Sequence, residues 1–274
     1  MLEKLAKNKT FTIEDAEKIS TVNKGVLKVI LSRLEKQGQI ERIEKGKYMI
    51  IPLGATKGKY TLNEFVLGAL LVEPCVISYW SALNYHALTE QIPLTVFLQT
   101  TARKKKQEIT IFGVTYKIIR IKKEKLFGTD KIWLEDTPVL ITNKEKTIID
   151  CLDKPHYSGG IIETAKALRT KQYDTKKLID YAQKINNTGV IRRLGYLCDT
   201  LDIPLSLPQI NTRNYLLLDP TLPKTTTKNA KWRLIINEDI GAWKRSLQHQ
   251  IKNLPNPDVV FENVTIFLKE NIRI

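Results

Sequence analysis

Residues Phe11–Ile51 read FTIEDAEKISTVNKGVLKVILSRLEKQGQIERIEKGKYMII, and the order of elements in this stretch decides the fold of the N-terminal part. Thr12, Ile13, Glu14 and Asp15 open a short helix, roughly 13–19. A threonine oxygen caps the free amides of a helix start, and two acids suit its positive end. The helix runs into Ser20-Thr21-Val22-Asn23, residue types that favour turns and caps. A second helix then sets Val22, Val26, Leu27, Ile30, Leu31 and Leu34 on one apolar stripe, and Gly38 closes it. Gln39–Ile43 and Lys47–Ile51 follow as two strands around Glu44-Lys45-Gly46. Helix, turn, helix and β-hairpin, in that order, make a winged helix-turn-helix.

The polar side of the same stretch is basic. The second helix and its leading turn offer Thr21, Asn23, Lys24, Lys28, Ser32 and Arg33 opposite the stripe, and the hairpin offers Arg42, Lys45 and Lys47. A helix of this width enters the major groove, where lysine and arginine meet guanine edges or phosphates and asparagine pairs with adenine. Asn23, Lys24 and Lys28 are therefore expected at base edges, and Arg33, Arg42, Lys45 and Lys47 on phosphates. Residues 1–60 hold thirteen Lys and Arg against seven Asp and Glu, which adds a favourable field. The plainer reading of such a face, a solvated surface on a protein-contact module, has to ignore the combination of order, stripe and charge.

Outside this stretch, 274 residues exceed one ordinary domain, and a net charge of +15 favours a polyanionic partner. Cys75, Cys151 and Cys198 are widely separated, and His86, His156 and His249 show no ligand spacing, so neither a disulfide framework, a metal site nor a cofactor is expected. The charged first residues do not read as a signal peptide and no apolar run reaches membrane-span length. The expectation is a cytoplasmic protein without a membrane partner.

The expected fold class is mixed α+β: the winged helix-turn-helix at 1–52, a linker at 53–59, a larger α/β domain at 60–240 and a C-terminal extension at 241–274. Leu2–Lys7 is expected to form a first helix against the winged-helix core. Residues 60–92 read as helical, with Ser78 capping a helix that carries Tyr79, Trp80, Tyr85 and His86. Those aromatics read first as core and second as a base-stacking surface. Strands are expected at Leu94–Thr100, Ile109–Phe112, Thr115–Ile121 and Val139–Thr142. Between 102 and 125, Arg103, Lys104, Lys105, Lys106 and five further cations face only Glu108 and Glu124. This span reads as a second nucleic-acid contact, an arm for an acidic partner, or a solvated hairpin. Helices at 145–152, 160–168, 175–184 and 190–201 precede a last strand at Trp232–Asn237 and a helix around Trp243–Ile251.

Catalytic patterns are sparse. Gly159-Gly160 before a helix could cradle a phosphate, although a glycine pair there is usually turn chemistry. Glu135, Asp136 and Glu145-Lys146 flank the strand VLIT, but the Glu-x-Lys spacing of restriction-type nucleases fails because Lys146 follows Glu145 directly. The rival class is a nucleic-acid enzyme, a metal-dependent nuclease or a phosphotransferase, built on Asp136, Glu145 and Asp150. No catalytic residue is assigned.

Several separated stretches taken together resemble the AbiEi family of type IV toxin–antitoxin antitoxins, regulators of viral defence and abortive infection. They are Glu44-Lys45-Gly46-Lys47-Tyr48, the segment Ile77–His86, Glu90-Gln91-Ile92-Pro93, Glu145–Asp150, Gly159-Gly160, Arg193-Leu194-Gly195-Tyr196 and Trp232–Asn237. The resemblance implies an N-terminal domain that binds operator DNA with inverted repeats and represses its own operon. It also implies a C-terminal domain that counters a cognate nucleotidyltransferase-like toxin. Residues beyond about 240 fall outside it. Tyr79, Trp80, Glu145, Asp150 and Arg193 are read as packing and bridging residues rather than toxin contacts.

Overall fold

The computed structural model describes residues 5, 9–52, 62–134, 136–208 and 210–252, with 247–252 described by backbone alone. Most of the expected first helix at 2–7, the linker at 53–59, Glu135 and the tail beyond 252 lie outside the described residues. The chain is mixed α and β throughout: a winged helix-turn-helix comes first and a larger α/β part follows. By contacts it divides between Thr147 and Ile148, and the two units are described in turn.

The first unit opens with strand β1 (Thr10–Thr12), which the sequence did not announce, and helix α1 (Ile13–Ile19). Thr12 accepts from the Asp15 amide at 3.1 Å while its own amide donates to the Asp15 carboxylate at 3.0 Å, a reciprocal capping box. Helix α2 (Lys24–Lys36) follows, then the hairpin of β2 (Ile40–Glu44) and β3 (Lys47–Ile50). The three strands form a sheet in the order β1-β3-β2. Gly46 takes φ +78 in the hairpin turn, where its carbonyl accepts from the Ile13 amide at 2.8 Å. The wing tip is thereby tied to the start of α1.

The hairpin serves two cores because successive strand residues point to opposite faces. Tyr48 and Ile40 join Leu5, Phe11, Ala16, Leu27 and Leu31 in the winged-helix core, where Phe11 stacks on Tyr48 at 5.4 Å between centroids. Met49, Ile43 and Ile51 join the next core instead, beside Leu62, Phe65 and Leu98. That second core lies between helix α3 (Glu64–Leu71) and a six-stranded sheet. The sheet comprises β4 (Val76–Ile77), β5 (Thr95–Thr100), β6 (Glu108–Ile111), β7 (Val114–Arg120), β8 (Thr129–Leu134) and β9 (Thr137–Thr142). Their order is β6-β7-β5-β4-β9-β8, with β5 parallel to β7 and β4 parallel to β9. Gly68 lets α3 approach closely, since a Cβ there would stand 3.0 Å from Leu98.

Helix α4 (Tyr79–Tyr85) carries the aromatic segment. Ser78 occupies its N-cap position but makes no side-chain cap bond, a departure from the expected cap. Ser81 is the tethering serine: its hydroxyl donates to Thr95 O at 3.3 Å and accepts from the Phe97 amide at 3.0 Å. Tyr79 is buried and Tyr85 is exposed, so the aromatics do not make one stacking face. His86 lies 2.6 Å from Thr142 O through Nε2, and burial lowers its pKa. Helix α5 (Lys144–Asp153) runs across the division between the units.

The second unit packs α6 (Ile161–Arg169), α7 (Thr175–Lys184), α8 (Thr188–Thr200) and α9 (Ile240–Lys252) with a small sheet. The expected strand over 232–237 contracts to β12 (Leu234–Ile235), which pairs in parallel with β10 (Leu216–Leu217) and antiparallel with β11 (Lys228–Asn229). Such short strands hold little hydrogen bonding of their own. Arg192 and Arg193 of α8 supply the rest, donating to the carbonyls of Asn214 at 2.7 Å, Trp232 at 3.1 Å and Leu218 at 2.9 Å. The Trp232 ring occupies the space a Cβ at Gly195 would need, which fixes glycine on that face of α8.

Candidate nucleic-acid interface

Helix α2 begins at Asn23, whose side-chain oxygen accepts from the Val26 amide at 2.9 Å. The expected base-reading asparagine is thus the helix cap, and its carbonyl oxygen is engaged there. Thr21 is exposed in the turn before it. The buried face of α2 is narrower than the expected stripe: Leu27 and Leu31 are inside with Leu34 packed beside them, while Val22 and Val26 are exposed. Spacing of i, i+4, i+7 from Leu27 gives that face, and the wider stripe had drawn in two surface valines.

The rest of α2 divides into two flanks. Lys24, Lys28, Ser32 and Glu35 turn toward the hairpin and, with Arg42, Lys45 and Lys47, line a groove of about 640 Å³. Glu14 of α1 lines it too, so its floor is not uniformly basic. Lys24 is paired with Glu17 at 2.9 Å, and that hydrogen-bonded carboxylate holds the ammonium above its usual pKa. On the other flank stand Val26, Val29, Arg33 and Lys36, all exposed. Lys28, Arg33, Lys36 and Lys45 make no ion pair with a described residue, and Arg42 bonds only locally to Glu44 O at 3.4 Å. These five exposed cations surround the outward side of the helix and wing.

Lys47 and Lys104, expected on the first and second DNA surfaces, meet each other instead. Lys47 Nζ donates to Leu70 O and to Leu71 O at 3.1 Å, and lies 3.7 Å from Glu44. Lys104 Nζ donates to Leu71 O and to Glu44 Oε2 at 2.8 Å. Both ammonium groups therefore cap the C-terminal carbonyls of α3, where the helix dipole favours cations. Burial, and next the neighbouring Lys104, lower the pKa of Lys47. Burial pushes the nearby Cys75 thiol up to about 12.

The remainder of the basic span is divided. Arg103, Lys105 and Lys106 are exposed, and Arg103, Lys104, Gln107 and Arg120 line a recess of about 230 Å³. Lys117 pairs across the hairpin with Glu108 at 3.8 Å and Lys122 with Glu124 at 3.8 Å.

Asp136 sits at the β8–β9 turn with φ +64, while Glu145 and Asp150 are buried on α5. Among the described residues no three His, Cys, Asp or Glu side chains come together as a metal site. The glycine pair before α6 is already matched to an anion of the protein itself: Asp219 accepts from the Ile161 amide at 2.7 Å, and a Cβ at Gly160 would stand 2.6 Å from its carboxylate. Asp219 thus takes the place a phosphate would occupy. No helix among the described residues is long and apolar enough to cross a membrane.

What sequence reading missed at this interface is the outward position of Val29 and Lys36. A helical projection anchored on Leu27 and Leu31 is the signal that finds them.

Residues 1–51 match the model of a family described as "Transcriptional regulator, AbiEi antitoxin". No curated protein sequence matches the chain. Among solved structures, the fold is similar to the crystal structure of the RV2827C protein from Mycobacterium tuberculosis, with a TM-score of 0.62 over 89% of this chain and 92% of that one at 13% identity. The structural likeness speaks for fold alone, whereas the family match supports an antitoxin and transcriptional-regulator role. The residues matched, 1–51, are those of the winged helix-turn-helix, so the similarity to that family lies in the N-terminal domain.

Proposed function

We propose that this protein is the antitoxin of a type IV toxin–antitoxin system and represses its own operon by binding operator DNA through the winged helix. The observation that carries this reading is the ring of exposed cations, Lys28, Arg33, Lys36, Arg42 and Lys45, around the outward side of α2 and the hairpin. A helix standing clear of its core enters a major groove, and unpaired cations release condensed counterions when they meet phosphate. Lys28 and Ser32 face the groove side, with Arg33 and Lys36 on the opposite flank. An operator with inverted repeats accommodates two protein copies, the half-sites one helical turn or a multiple apart. The partner to be neutralised is a nucleotidyltransferase-like toxin, an assignment that rests on the family.

Two measurements test the reading. In a mobility-shift titration the full chain should bind the DNA upstream of its own gene at least tenfold more tightly than a scrambled duplex, as specific binders do. Equal affinity for both would refute specific repression. Co-expression with the adjacent toxin gene should rescue growth, and the double variant Lys28→Glu/Arg33→Glu should still rescue while losing operator binding. Rescue lost together with DNA binding would show that the two activities are not separable.

A further inference from the structure

The outward side of α2 is not wholly cationic. With about 100° of rotation per residue, Val29 lies about 200° from the buried Leu27, on the far side of the helix. It is 51% exposed, and Val26, one turn earlier, is 45% exposed. Neither belongs to the winged-helix core. Helix propensity does not account for them either, since lysine, arginine or alanine at an exposed position would favour the helix more.

Their surroundings say what they can meet. Lys28, Arg33 and Lys36 stand around the pair, and Val22 just before the helix is exposed as well, so a small apolar strip is set in a cationic rim. A protein-docking face needs about 800 Å² per partner and fewer charges at its centre, neither of which three valines inside such a rim supply. A DNA major groove offers phosphates at its edges and, on its floor, one apolar group: the C5 methyl of thymine. Valine suits that group because its branched Cβ leaves one strongly preferred rotamer in a helix, so its methyls are already placed before contact.

We infer that Val26 and Val29 are specificity-determining residues that read thymine methyl groups, and that each operator half-site carries thymine beneath the outward side of α2. This rests on the winged helix acting as a sequence-specific DNA reader.

The test uses the full chain and the duplex upstream of its own gene, with each thymine replaced in turn by deoxyuridine, which removes only the methyl. At the contacted thymines affinity should fall about fourfold, the change expected for one buried methyl group. Val29→Ala or Val26→Ala should bind the all-thymine duplex less tightly by a similar factor and no longer distinguish thymine from uracil at its own position. Lys28→Gln should weaken binding to every duplex and keep that distinction. A preference for the upstream duplex with no uracil-sensitive position would overturn the inference while leaving specific DNA binding intact. No preference for the upstream duplex would overturn the specific-reader reading first. A changed sedimentation coefficient of Val29→Ala without DNA would assign the valines to a protein contact and overturn the inference as well.

Discussion

Lys28 and Arg33 on α2 and Arg192 and Arg193 on α8 are pairs of cations on amphipathic helices, yet their surroundings oppose one another. The α2 pair is exposed and makes no ion pair with a described residue. Arg192 is 1% and Arg193 is 8% exposed, and their guanidinium groups are surrounded by backbone oxygens. Arg193 alone donates to Leu218 O at 2.9 Å, Leu152 O at 2.9 Å and Leu217 O at 3.2 Å. Arg192 reaches Trp232 O, Asn214 O and Arg233 O. Burial lowers the pKa of both, but arginine keeps its proton throughout the accessible range. A buried charge is tolerated when each donor finds an acceptor. The planar fork of arginine fastens several irregular segments to one helix, which explains why the short pairings of β10 and β12 suffice. Positive charge thus stands in two settings in this chain: held by carbonyl oxygens, as on α8 and at Lys47 and Lys104, and exposed without an ion pair to a described residue, as on the outward side of α2.

The strongest challenge to that contrast is to remove a fastener. Arg193→Leu leaves three buried carbonyls without a donor and should lower the unfolding free energy by about 3–5 kcal/mol. Urea titration of the full chain followed by circular dichroism measures it. Arg193→Lys should recover only part of the loss, because an ammonium cannot span three acceptors as a fork does. If Arg193→Leu left stability unchanged but weakened DNA binding, the arginine would belong with the exposed group and the contrast would collapse.

The converse substitution should act on binding and not on stability. Lys28→Gln with Arg33→Gln should weaken operator binding roughly 10- to 100-fold at low salt, and flatten log affinity against log salt by about 0.9 for each phosphate contact removed. The urea midpoint should correspond to a change within about 0.5 kcal/mol, as for surface substitutions generally. A stability loss larger than that would mean these side chains support the helix.

Which of the two settings a cation occupies was only partly legible in the sequence. Local signals worked well: Thr12 with Asp15, the glycine of the Glu44–Lys47 turn, and the spacing of Leu27, Leu31 and Leu34 all act within a few residues. The Asn23 signal carried two readings at once, cap and base reader, and the backbone takes its oxygen for the first. Long-range partners leave no local trace. β4 pairs Val76 with Gln99 and Ile77 with Ile141, and a two-residue strand has no period to detect. β8 is different, since Ile132 and Leu134 pack inward while Lys131 and Trp133 are exposed, a plain alternation that the sequence carries. Arg193 finds its acceptors 41, 25 and 24 residues away, so nothing near it in sequence distinguishes it from a surface arginine.

Lys104 stands between the two groups and supplies the finest test. The run Arg103-Lys104-Lys105-Lys106 looks uniform in sequence, but Lys104 is only 16% exposed at its side chain and is held by Leu71 O and Glu44, whereas its three neighbours are exposed. If availability decides function, the run should split. Lys104→Met deletes a charge-assisted bond to Glu44 and a cap on α3, and should cost about 1–2 kcal/mol of stability, the low end for hydrogen bonds to charged groups because the site is partly open to water. Its salt dependence of operator binding should match that of the unaltered chain. Lys105→Gln with Lys106→Gln should leave the urea midpoint in place, and any phosphate contact they make should appear as a shallower salt slope, by up to about 0.9 for each. Should Lys104→Met flatten the slope as much as the Lys105/Lys106 pair does, its ammonium must leave Glu44 for DNA in the complex. A lysine could then serve as fastener and contact by turns, and exposure in the free protein would no longer separate the two uses of charge.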